Sequence, residues 1–252
     1  GANAGKGGIQ LTAKNLTIEN SGIQIDNFTS FQPGDLTVNL TDTLRLSGTD
    51  TPSTFLTTTR RSAQSADLNI TAHDIFLTDG ALVSTETYRN GDGGTLNIFT
   101  QHLDLTKGAQ IASRSIFNPH GQPRETPSGA GGTITIQGLE SPAESVLIDG
   151  AGSGIFTNTE GDGPGGNIFV NADSVTLQNE ATLSAATSGT KVTAAGGNIT
   201  VHADQIALRG GADITNSTSG AGDGGTVSLY ANESISLVNS SIASNSETPP
   251  GT

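Results

Sequence analysis

Four columns of aliphatic residues, each filled eight times, constrain this chain more than any other feature. The first column reads Ile9, Leu36, Leu68, Leu96, Ile134, Ile168, Ile199 and Val227. Two residues further on stand Leu11, Val38, Ile70, Ile98, Ile136, Val170, Val201 and Leu229. A second run supplies Leu16/Ile18, Leu44/Leu46, Ile75/Leu77, Leu103/Leu105, Val146/Ile148, Val175/Leu177, Ile206/Leu208 and Ile235/Leu237. All 32 positions are Ile, Leu or Val, although only 48 of the 252 residues are of those types, so chance does not fill the columns. A spacing of two within each pair puts both side chains on one face of a β-strand and is incompatible with a helical stripe.

A looser third run holds Ile23, Leu82, Ile111, Ile155, Leu183, Ile214 and Ile242, with Leu56 as its nearest match in the second repeat. Three strands and three corners in roughly 30 residues predict an all-β chain coiled as a parallel β-helix of about eight three-stranded turns. In such a coil each strand pairs with its equivalents one turn above and below. The unbroken register predicts one domain over residues 1–252.

Composition narrows function by exclusion. A net charge of -13 with only 11 Lys and Arg disfavours nucleic acid and anionic membrane surfaces, because phosphate contacts need cations. No apolar stretch approaches the roughly 20 residues of a membrane-spanning helix. Zero Cys removes disulfides, thiolate metal sites and cysteine nucleophiles together. The lack of Met and the in-register ends point to a segment of a longer rod, with secretion and anchoring segments outside it.

The strings GDGGTLNIFTQHLDLTKGAQIASRS (91–115), GGNIFVNADSVTLQNEATLSAATSG (165–189) and GGNITVHADQIALRGGADITNSTSGAGDGG (196–225) resemble the passenger repeats of filamentous-haemagglutinin-like two-partner-secretion exoproteins of the cyanobacterial type. The resemblance covers nearly the whole chain. It implies a right-handed coil, a secreted protein on the outer cell surface, and a role in adhesion or surface layers. It also implies an outer-membrane transporter as partner, engaged through an amino-terminal domain whose Asn-Pro-Asn-Gly motif is absent here.

Three groups of side chains are candidates for binding. Glu144, Asp173, Asp204 and Glu233 precede the second strand of four successive turns. Carboxylates stacked about 5 Å apart repel one another, and a divalent cation, Ca²⁺ above all, could bridge them. The plainer reading is a solvated acidic corner. It is the one favoured, since carboxylates without a dedicated loop bind calcium weakly. Five arginines, Arg60, Arg61, Arg89, Arg114 and Arg124, fall in the third-corner segments of turns two to four, where guanidinium forks could take an anionic saccharide or an acidic partner protein. Solvated loop arginines are the simpler account. Outward positions of the first strand, Gln10 through Phe169 to Ser228, form a polar face suited to glycan contact or merely to solubility.

The glycine corners at 91–94, 161–166 and 222–225 lack the nine-residue period of calcium-binding repeats. Their Gly are expected to supply positive backbone angles and their Asp local turn hydrogen bonds. His73 and His102 occupy adjacent first corners, a weak metal signal. No nucleophile elbow, zinc-binding helix or phosphate loop stands in its required context, and the expectation is that the chain is not an enzyme. The expected function is that of a β-helical stalk that displays loops for adhesion. A polysaccharide-active β-helix and the stalk of a contact-dependent toxin delivery protein are the alternatives.

Overall fold

A computed structural model describes residues 7–117 and 126–246. Among the described residues there is no helix, and 21 strands stack entirely in parallel as a solenoid of about eight turns. The first aliphatic column is reproduced step for step. Ile9 pairs with Leu36, Leu36 with Leu68, Leu68 with Leu96, and so on through Ile134, Ile168 and Ile199 to Val227. The second run is equally regular, from Leu16 opposite Leu44 to Ile206 opposite Ile235. Register is held because a slip of one residue would turn every aliphatic side chain to solvent.

The interior of the coil is dry along most of its length. Leu36, Leu44, Leu68, Leu96, Leu103, Ile134 and Ile199 are all fully buried. Burial weakens at both ends. Ile9 and Leu11 are half-buried, and Ile235 and Leu237 are each 45% exposed, because those turns have a neighbour on one side only.

In turns six to eight the first and second strands fuse into single strands, Asn167–Gln178, Ile199–Arg209 and Val227–Val238. In turn five they remain apart, as Thr133–Gln137 and Ala143–Asp149, separated by a five-residue insertion, 138–142. Twelve residues separate Ile134 from Val146 there, against seven between Ile168 and Val175.

The third strands form their own eight-stranded sheet, and here the sequence reading needs correction. The inward column runs Ile23, Phe55, Val83, Ile111, Ile155, Leu183, Ile214 and Ile242. Phe55 and Val83 are fully buried, whereas Leu56 and Leu82, the residues expected there, are half-buried on the outer face. Each neighbours an apolar residue, so alternation alone does not say which of the two points in.

The third corner holds a buried polar column that the sequence reading did not find. Asn27, Thr59, Thr87, Ser115, Thr159, Thr187 and Thr218, all buried, stand in register with one another and with the exposed Ser246. Several hydroxyls of this column hold the glycine corners. Thr87 Oγ1 donates to the Gly91 carbonyl at 2.6 Å, Thr159 to Pro164 at 2.8 Å and Thr187 to Gly163 at 3.2 Å.

The glycines of those corners serve a purpose other than the one expected. None of the corner glycines at 91–94, 161–166 or 222–225 has a positive φ. Left-handed residues lie instead at the corner between the second and third strands, for example Asn20, Asp79 and Gly80, and Lys107. In the third corner, glycine is required by close stacking. A Cβ at Gly197 would lie 1.8 Å from the carbonyl oxygen of Gly166, and one at Gly225 equally close to that of Gly197. The corner aspartates also act between turns, since Asp92 Oδ1 accepts from the Ala130 amide of the next corner at 2.8 Å.

Candidate functional site

Arg60, Arg61, Arg89 and Arg114 lie in or just after the stacked third strands of turns two to four, and two of these guanidiniums are engaged by the chain's own acids. Arg114 stands directly above Glu86 in register and donates to Oε1 at 2.9 Å. The Glu86 carboxylate is buried and also accepts from Ser84 Oγ at 3.1 Å and Tyr88 OH at 3.4 Å. Arg60 approaches Asp26 at 3.8 Å and covers the rings of Phe28 and Tyr88, 5.2 and 5.4 Å from their centroids. Burial, and next the Glu86 charge, push the Tyr88 phenol above its ordinary pKa. Arg61 is exposed and Arg89 half-buried. Arg124 lies outside the described residues.

The acidic column stacks as expected as far as Asp204. Backbone amides of Asp42, His73, Gln101 and Glu144 donate in turn to the residue one turn below, from Lys14 upward. In turn eight the register shifts by one residue, between the positions opposite Ala203 and Gln205. Asp204 therefore accepts from the amide of Asn232 at 2.7 Å, and Glu233 accepts from Gln205 at 2.6 Å. Glu144 turns toward His102, with 3.4 Å between Oε2 and Nε2. Neighbouring side chains thus meet the carboxylates of Glu144, Asp204 and Glu233 individually. Among the described residues no group of three His, Asp or Glu is placed to hold a metal ion.

His73 and His102 come together edge to face, with ring centroids 5.9 Å apart. His73 Nδ1 lies 3.1 Å from Asp74 Oδ1. Asp104, on the same outer face, is pushed above the usual carboxylate range by burial and by the Asp74 charge, while His102 opposes the shift.

Besides a hollow of about 220 Å³ beside Arg114 and Glu160, a concave site lies at the first corner of turns five to eight. A hollow of about 180 Å³ is lined by Asn171, Asp173, His202, Asp204, Tyr230 and Asn232, with Pro142 at its rim. Three aromatic rings climb beside it. Phe169 and His202 have centroids 5.7 Å apart, and His202 stacks on Tyr230 at 4.6 Å with 25° between the planes. Asn171, His202 and Tyr230 are opposite one another in successive turns, which places all three outward, one position beyond inward-facing Val170, Val201 and Leu229. A second hollow of about 280 Å³ adjoins across Asn171 and Pro142, under Leu139 and Glu140 of the insertion.

The sequence reading had named Asp173 and Asp204 for another purpose and Phe169 as part of a polar face. It missed Tyr230. The available signal was an aromatic at the same outward position as His202, in a chain with only two Tyr and eight Phe. No family model, curated protein or solved structure matches this chain.

Proposed function

We propose that this chain is a rigid segment of a secreted surface protein, holding adhesive or intermolecular contact surfaces away from the cell. The observation that carries this reading is the uninterrupted register of both aliphatic columns over eight turns. At about 4.8 Å per turn it makes a rod of roughly 40 Å. A solenoid is stabilised by each turn against the next, so it can assemble progressively as an unfolded chain emerges from a transporter. Absence of Cys lets that assembly proceed without oxidation. The repeat strings at 91–115, 165–189 and 196–225 and their likeness to two-partner-secretion passengers support the same reading, with an outer-membrane transporter as the export partner.

Antibodies against the folded segment test the location. They should label intact cells of the source organism, and cells whose parent protein lacks the segment should attach less well to surfaces. Label that appears only after permeabilisation, or attachment unchanged by the deletion, overturns the proposal.

A further inference from the structure

We infer that the first corner of turns five to eight is a binding site for neutral oligosaccharides, with a pyranose ring seated against the exposed ring of Tyr230. The inference does not depend on where the segment resides and is testable on the purified chain.

The hollow is created by a local departure from the repeat. Outward columns of a parallel solenoid are flat. Here the insertion 138–142 raises a wall beside the corner, and Pro142 closes one side of the hollow below Asn171. Concavity is what lets a surface surround a small ligand.

The opposite side is aromatic and wet. Tyr230 is 56% exposed and His202 is exposed, so neither ring contributes to the core. The face of an aromatic ring is electron-rich, and the axial C–H groups of a pyranose are its electron-poor, apolar complement. His202 covers one face of Tyr230, and the other face of this 56% exposed ring is the one open to a sugar.

Polar groups that can bond sugar hydroxyls line the hollow beside Tyr230. Asp204 is oriented by the Asn232 amide at 2.7 Å. The Asn171 amide and the Asp173 carboxylate make no intrachain hydrogen bond among the described residues. Each carboxylate can accept from two vicinal hydroxyls, and each amide both donates and accepts. Asp173 and Asp204, with Glu140 beside the adjoining hollow, make the site negative and reject uronates and sulfated sugars by like-charge repulsion.

Saturation-transfer NMR and titration calorimetry on the purified chain, with cellohexaose, xylohexaose and mannohexaose as probes and oligogalacturonate as the acidic control, test this. At least one neutral probe should bind saturably and the galacturonate should not. Tyr230→Ala should weaken binding roughly tenfold and Asp173→Asn by several fold, with melting temperatures unchanged. Tyr230→Phe should retain most of the affinity, which separates ring stacking from a structural effect. Binding of none of the neutral probes overturns the inference. So does equal binding by Tyr230→Ala, or a site that takes Ca²⁺ alone.

Discussion

The hydroxyl of Thr218 donates to the carbonyl of Ala194 at 2.8 Å, so that a side chain just beyond the third strand of turn seven, Asp213–Thr215, holds the corner that leads into that turn. Thr218 is 1% exposed and Ala194 is fully buried, which leaves that carbonyl no water to turn to. Thr218→Val keeps the volume and removes the donor. A buried polar group left without its partner costs about 1–3 kcal/mol. Urea denaturation should show a loss of that size for Thr218→Val and a much smaller one for Thr218→Ser. A larger loss for Thr218→Ser than for Thr218→Val would mean that the methyl group, not the hydroxyl, secures the corner.

Close stacking of the glycine corner gives a second test. Gly197→Ala would drive a methyl group into the Gly166 carbonyl, and the two turns would have to separate. Overpacking of this kind costs about 1–3 kcal/mol or more. Gly80 has φ +74° with no backbone atom near its absent Cβ, so Gly80→Ala meets only left-handed strain, about 1–2 kcal/mol. Gly197→Ala should be the more damaging variant in thermal melts. The reverse order would argue that backbone angle, not spacing, dictates the corner.

The corrected third column can be checked by truncation. Phe55 is fully buried between Ile23 and Val83. Phe55→Ala should cost about 3–5 kcal/mol, as deep aromatic truncations do. Leu56→Ala, on the outer face, should cost much less. Similar losses for the two would restore Leu56 to the core.

Asp104 supplies a pH-dependent test. Its folded pKa is raised, by burial first and by Asp74 second, so the folded chain holds this proton more tightly than the unfolded one. The stability so conferred is present below the ordinary aspartate pKa near 4. It is lost as pH rises through the higher folded value. Asp104→Asn removes the charge and with it the loss. The variant should melt above the parent at pH 7, and the gap should close as pH falls toward about 3. A lower melting temperature at pH 7 would show that the carboxylate is held favourably, through His102.

The coil and its register were legible in the sequence, because a period of two with one dry face admits a single alignment of Ile9 with Leu36 and of Leu16 with Leu44. Where two neighbouring residues are both apolar, as at Phe55–Leu56 and Leu82–Val83, the pattern is silent and packing decides. The candidate site was legible only in fragments. Asp173 and Asp204 showed as members of an acidic column, but their relation to His202, Tyr230 and the 138–142 wall did not.

Aliphatic period alone therefore determined the architecture of this chain, since burying a stripe is a property of each strand by itself. The tertiary structure decided how the corners close and where the surface becomes concave. Several of those features join residues far apart in sequence, such as Thr218 with Ala194, 24 positions away, or Ser153 with Gly108, 45 away, and local sequence does not encode which neighbour a stacked turn will bring.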